Sequence, residues 1–200
     1  MDQQSISVYT DGACKNNGRP NAIAGIGVYF GDNDDRNVSE RIAGNQTNNA
    51  AELSAIIRAC DILRCKITDR VVVDIHTDSE YAIKCATTYG AKLKGKQWKN
   101  GKKVIPNLEL VKQLHTIVSC SPNIRFHHVR AHTGHTDIHS VSNAHADRLA
   151  NEAVEKKENN EEPVLLQVAK ETFPPAVISS VLMRLQEVER RLQQIENALA

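Results

Sequence analysis

Apolar and polar side chains alternate over residues 6–10, and the alternation stops at Asp11 and Gly12, the pattern of a strand that feeds a turn. Residues 25–30 and 38–43 read as two further strands. The turn formers Asn16, Asn17, Gly18, Pro20 and Asn21 separate the first pair, and Gly31, Asp32, Asn33, Asp34 and Asp35 the second, which predicts an antiparallel meander. The period then changes. From Thr47 or Asn48, both good N-caps, to Cys65, the residues Leu53, Ile56, Ile57, Cys60 and Leu63 recur at helical spacing, with Glu52 near the edge of the buried stripe. The β-branched run at 71–76 fits an interior parallel strand that ends at Thr77 and Asp78, and a short helix over 79–87 follows. After a lysine-rich stretch the pattern predicts a helix over 107–118, a strand over 124–129, a histidine-rich loop and a helix over 143–155. A meander followed by helices alternating with strands predicts an α/β fold, a mixed five-stranded sheet flanked by helices.

Residues 156–163 carry charge and no periodicity, so the first domain is expected to be 1–156, followed by a linker at 157–175 and a terminal helix at 176–200. In that helix Ile178, Val181, Leu185, Val188, Leu192, Ile195 and Leu199 are spaced by three and four in strict alternation, the seam of a coiled coil. With Ile178 at position a, Arg184 and Arg191 fall at g and Glu189 and Glu196 at e. A parallel neighbour would bring opposite charges together and an antiparallel one like charges. The expectation is a parallel homo-oligomer through residues 178–199, of three or four strands because leucine dominates a and β-branched residues fill d, and the alternative is an amphipathic helix that packs on its own domain.

Composition excludes several classes. The 200 residues are 40% hydrophobic and 24% charged, with 25 basic against 24 acidic side chains, ordinary values for a globular chain. No run of eighteen apolar residues exists and the first residues are polar, so neither a membrane span nor a secretory signal is expected. Cysteines 14, 60, 65, 85 and 120 are odd in number and form no C-x-x-C pair, which fits a reducing intracellular setting, cytoplasm or nucleus. The net charge of +1 hides an uneven distribution. Between Tyr81 and Leu108 there is no acid, while Lys84, Lys92, Lys94, Lys96, Lys99, Lys102 and Lys103 surround Trp98, the single tryptophan. Such a patch suits a polyanion.

The candidate chemistry is carboxylate chemistry. Asp11 and Asp78 are each expected just past the C-terminal end of an interior strand, where open α/β sheets hold ligands, and they would face each other if those strands pair in parallel. Glu52 lies early in the long helix, and Asp147 is expected in the first turn of the last helix of the domain, where the helix dipole alone could explain it. Four acids meeting at one spot repel unless cations compensate them, and an oxygen-only ligand set selects Mg²⁺ or Mn²⁺ over zinc. Two such ions about 3.5–4 Å apart can drive phosphodiester cleavage. The crowd of histidines at 127, 128, 132, 135, 139 and 145 also invites a zinc reading, but its irregular placement on a loop lacks the tight four-ligand spacing of a structural site.

Six segments occur in order: Thr10-Asp11-Gly12-Ala13, residues 24–29, residues 47–53, Thr77-Asp78-Ser79-Glu80-Tyr81, residues 129–134 and Asn143-Ala144-His145-Ala146-Asp147. Together they resemble the signatures of type 1 ribonuclease H over about residues 5–155. The resemblance implies the RNase H fold and endonucleolytic hydrolysis of the RNA strand of an RNA/DNA hybrid, leaving 5′-phosphate and 3′-hydroxyl ends. It implies that Asp11, Glu52, Asp78 and Asp147 bind two Mg²⁺ ions with substrate, Mn²⁺ substituting, and that His132 assists proton transfer and product release. By the same resemblance Asn17 and Asn49 contact the RNA strand, Thr47 and Asn107 line a pocket for a DNA phosphate, and residues 92–103 form a basic protrusion. In that protrusion Lys94, Lys96, Trp98 and Lys99, with Tyr89 nearby, grip the substrate. The chain departs from the family at Asn45, where a basic residue is common, at Tyr89 and Leu93, where tryptophan is common, and in the longer stretch between His132 and Asp147. Two other functions are compatible with the residues: a catalytically idle nucleic-acid-binding or assembly module, and a transposase or integrase of the same broad fold. Four mutually repelling acids speak against the first, and the basic protrusion with the His132 segment against the second.

Overall fold

A computed structural model describes residues 4–64, 71–130, 136–156 and, toward the C-terminus, 174, 177, 180, 181, 183–185, 187, 188, 190, 191 and 194. Two compact units divide the chain, Met1–Lys157 and Glu158–Ala200. In the first the elements run β1 (Gln4–Lys15), β2 (Ile23–Tyr29), β3 (Val38–Arg41), α1 (Asn48–Ile62), β4 (Val71–Thr77), α2 (Glu80–Ala86), α3 (Thr88–Gly95), α4 (Leu108–Ser119), β5 (Ile124–His128) and α5 (Ile138–Glu155). The five strands form one mixed sheet in the order β3-β2-β1-β4-β5. β1 pairs antiparallel with β2 and parallel with β4, and β4 pairs parallel with β5.

The sheet separates two apolar layers. Val8, Val28, Val73 and Ile75 join Leu53, Ile56, Leu63, Val111 and Leu114 in the main core beneath α1 and α4. On the opposite face Tyr9 and Tyr29 pack with Ala146, and Ala13 packs with Ala150 and Val154, so α5 covers that side with small residues. Two glycines of β2 permit its close approach. A Cβ on Gly27 would overlap the Ala146 carbonyl oxygen and lie 2.7 Å from the Ala150 nitrogen, and one on Gly25 would lie 2.6 Å from the Ala153 Cβ.

Three features of the elements differ from the sequence reading, each for a local reason. β1 does not stop at Asp11: it continues to Lys15, because β2 supplies an antiparallel ladder pairing Asp11 with Gly27 and Ala13 with Gly25. Asp11 therefore lies inside a strand, at the level where the parallel partner β4 ends. The last helix of this unit begins at Ile138 rather than Asn143, since the Asp137 carboxylate caps it by accepting from the His139 and Ser140 amides, both at 3.1 Å. Its first turns showed no apolar stripe, as Ile138 and Val141 are exposed. Asp147 thus sits well inside α5, and the helix dipole does not account for it. The third difference is α3, which forms within the stretch read only as lysine-rich and buries Leu93.

Cys14, Cys60, Cys85 and Cys120 are free thiols. Among the described residues no helix is long and apolar enough to cross a membrane.

Candidate active site

Backbone geometry brings Asp11 and Asp78 together. β1 and β4 are in parallel register from Gln4 opposite Val71 to Tyr9 opposite His76. The offset is 71 − 4 = 67 at one end and 76 − 9 = 67 at the other, so the same register places 11 opposite 78 just past the last ladder pair. Glu52 arrives from α1. That helix starts where the Thr47 hydroxyl caps it, accepting from the Ala50 amide at 3.2 Å, which puts Glu52 in the second turn. The approach of α1 to β1 depends on Gly12, since any Cβ there would overlap the Glu52 nitrogen and lie 2.7 Å from the Ala51 carbonyl carbon. The residue next to Asp11 therefore has to be glycine for Glu52 to reach it.

Carboxylate oxygens of Asp11, Glu52 and Asp78 all lie within 4.8 Å of one another, the single acidic or histidine grouping of this kind among the described residues. Asp11 and Glu52 are each only 6% exposed. Burial, then the charges of Asp78 and Asp147, push the Asp11 carboxyl up to about 8, against a hydrogen bond of 2.7 Å accepted from the Gly12 amide. Burial, then Asp11 and Asp78, push Glu52 up to about 9. Glu52 Oε1 accepts from Asn48 Nδ2 at 3.4 Å, while the buried Oε2 has no partner among the described residues. Buried oxygens are rarely left so. Clustered acids that prefer protons, one of them with a buried oxygen lacking a partner among the described residues, form a donor set that could hold a hard divalent cation.

Asp147 lies beside this trio rather than within it. It is half-buried on α5, close enough to raise the Asp11 pKa, and its Oδ1 accepts from Asn151 Nδ2 at 2.8 Å. His132 falls outside the described residues, as do the neighbouring positions 131–135. The other histidines of the region make local contacts. His127 Nε2 donates to Asp74 Oδ1 at 2.6 Å, His128 Nε2 donates to the Asp78 carbonyl oxygen at 3.1 Å, and Tyr9 Oη lies 3.0 Å from His139 Nδ1. His76 stacks on Tyr9, His127 and His139 with ring centroids 4.6, 4.7 and 4.6 Å away. Burial, helped by His127 and His139, pushes its pKa down to about 4.

The expected substrate contacts lie on the β1–β2 turn, the start of α1, α3 with the turn after it, and the start of α4. Asn17 Oδ1 accepts from the Asn48 amide at 3.3 Å, tying the β1–β2 turn to the start of α1, and Asn49 is exposed there. Asn107, in a left-handed conformation at φ 54°, accepts through Oδ1 from Asn45 Nδ2 at 2.9 Å. Lys94, Lys96 and Lys99 are exposed around the end of α3. Tyr89 and Trp98 are partly buried against the main core, and the Trp98 ring meets His115 edge-on at 6.0 Å. Asn48 and Gly12 were missed as positioning residues. Asn48 was legible only as a cap, and Gly12 only as a turn former, because neither pattern says what packs opposite.

A protein-family model described as RNase H matches residues 3–155. The chain belongs to the RNase H family. It is similar to Ribonuclease H1 of Mus musculus, 37% identical over 158 residues that make up 78% of this chain and 52% of the mouse protein. It is also similar to Ribonuclease H of Ruthia magnifica, 33% identical over 76% of this chain and 96% of that protein. The chain spans about half the length of the mammalian relatives it matches. Among solved structures the PFV RNase H domain is similar, with a TM-score of 0.59, 26% identity and coverage of 76% of this chain and 96% of that one. LC11-RNase H1 matches at a TM-score of 0.52, 30% identity and coverage of 76% and 96%.

Proposed function

We propose that this RNase H family chain is a metal-dependent endonuclease that hydrolyses the RNA strand of an RNA/DNA hybrid and leaves 5′-phosphate and 3′-hydroxyl ends. The observation that carries this reading is the gathering of Asp11, Glu52 and Asp78 within 4.8 Å, with Glu52 Oε2 buried and without a partner among the described residues. A binding module has no need of buried acids gathered where they repel one another. Asp11, Glu52 and Asp78 would hold Mg²⁺, two ions when substrate is bound with Mn²⁺ able to substitute, and Asp147 would complete the set. Bound there, such ions supply an activated water and stabilise the leaving oxygen.

The chain's own residues do the rest. The Gly12 amide and Asn48 side chain orient the Asp11 and Glu52 carboxylates toward the cluster. His132 would carry a proton to or from the reacting oxygens, a role suited to an imidazole that titrates near neutrality. Asn17 and Asn49 would read the 2′-hydroxyl as donor and acceptor, which distinguishes RNA from DNA. Thr47 and Asn107 would receive a DNA phosphate. Lys94, Lys96 and Lys99 would neutralise further phosphates, with Tyr89 and Trp98 supporting that surface from its apolar side. Free thiols at all four described cysteines fit work in a reducing compartment, cytoplasm or nucleus.

Cleavage of a labelled hybrid, with duplex RNA and duplex DNA as controls, tests the proposal. Cuts confined to the RNA strand, dependent on Mg²⁺ and lost in Asp11→Asn and Glu52→Gln, are expected. A folded protein that binds hybrid and never cuts it in Mg²⁺ or Mn²⁺ would overturn it.

A further inference from the structure

The second unit carries an apolar stripe for which the catalytic site has no use. Its described residues from Val177 to Gln194 are helical. On this helix Val181, Leu185 and Val188 are 52%, 54% and 52% exposed. They are separated by four and three residues and so share one face. On the polar flank Glu187 accepts from Arg190 and from Arg191, each at 2.8 Å. In sequence the stripe continues in both directions with Ile178, Leu192, Ile195 and Leu199.

We infer that this face binds the same helix of further copies of the chain, in parallel, as a bundle of three or four strands. The period is the first reason. A helix laid on a globular surface carries a broad stripe of period 3.6, whereas strict alternation of three and four gives 3.5, which keeps a narrow seam facing another helix only if both supercoil. Charge is the second. Arg184 and Arg191 at g meet Glu189 and Glu196 at e of a parallel neighbour, and an antiparallel neighbour would oppose arginine to arginine. The pairing of Arg191 with Glu187 does not compete strongly, since it is an exposed pair with the arginine side chain 70% accessible. Strand number follows from the seam: leucine at three of the four a positions, Val, Val and Ile at d, and Leu182 at e, which widens the apolar face beyond what a two-stranded coil covers. Linking several hybrid-binding domains, a consequence that rests on the function proposed above, would let one assembly hold a long hybrid at several points.

Charge reversal in the full chain tests the inference by sedimentation velocity. The wild type at tens of micromolar is expected to sediment as three or four chains. Arg184→Glu with Arg191→Glu, and separately Glu189→Arg with Glu196→Arg, should each sediment as monomers, and mixing the two variants should restore assembly. A monomeric wild type would overturn the inference, as would variants that stay assembled or a mixture that stays monomeric. A helix packed on its own domain gives the first of these results. In a second measurement the assembled chain should bind a hybrid of roughly 100 base pairs on the order of 100-fold more tightly than the Arg184→Glu, Arg191→Glu variant, with equal binding to a hybrid long enough for one domain. Assembly without tighter binding of the long hybrid would leave the bundle standing and count against hybrid as the ligand.

Discussion

Replacing Asp11 by asparagine should abolish cleavage and at the same time stabilise the metal-free protein at alkaline pH. Asp11 and Glu52 titrate at about 8 and about 9, against ordinary values of 3.8 and 4.5, chiefly because they are buried and next because they face other carboxylates. For Asp11 the folded value lies above the unfolded one. The native chain therefore holds the proton between the two, and stability falls as pH rises from about 4 to about 8. Below that interval the penalty is absent, and above it the penalty is complete. At about 1.4 kcal/mol per pH unit the ceiling for Asp11 alone is about 6 kcal/mol. Water entry and relaxation in a metal-free cleft reduce this to the order of 2 kcal/mol. For a chain of this size that corresponds to about 4–8 °C in melting temperature. Asparagine keeps an oxygen for the Gly12 amide and removes the charge. In EDTA at pH 8.5, thermal melts followed by circular dichroism should place Asp11→Asn above the wild type by that amount, and at pH 4.5 the two should nearly coincide. Mg²⁺ at pH 8.5 should raise the wild type and move the variant little. A variant that melts at or below the wild type at pH 8.5, or by the same margin at both pH values, would refute the reasoning, because burial and the neighbouring carboxylates would then not be disfavouring the Asp11 charge.

Gly12→Ala should lower stability by about 2–4 kcal/mol in urea unfolding and cut activity out of proportion to the folded fraction, since its Cβ would push α1 and Glu52 off β1. Removing the hydroxyl cap with Thr47→Ala should cost about 1 kcal/mol in the same assay, with Thr47→Ser restoring most of it. Substituting Lys94, Lys96 and Lys99 together by alanine should weaken hybrid binding and flatten the dependence of log K on log salt by up to about 2–3, while cleavage at saturating hybrid persists. An unchanged salt slope in a filter-binding titration would remove those lysines from the interface.

The α/β class, all five strands and the start of α1 were written in the chain, because periodicity and turn chemistry are local, and the ordered motifs marked Asp11, Glu52, Asp78 and Asp147 as candidates. The heptad register of the last segment is likewise a property of spacing alone. What only tertiary structure decided is where partners come from. β1 runs on through Asp11 because β2 lies beside it, α5 starts five residues early because Asp137 caps turns that have no apolar face, and α3 forms because Leu93 finds the core. The site itself is of this kind. Register between β1 and β4 sets Asp11 against Asp78, the bare Cα of Gly12 admits Glu52, and α5 settles on Gly25 and Gly27 to bring Asp147 alongside. These are contacts between residues distant along the chain, so no local pattern encodes them. The proton affinities of Asp11 and Glu52 follow from that proximity and from burial, neither of which exists until the sheet and helices have closed around them.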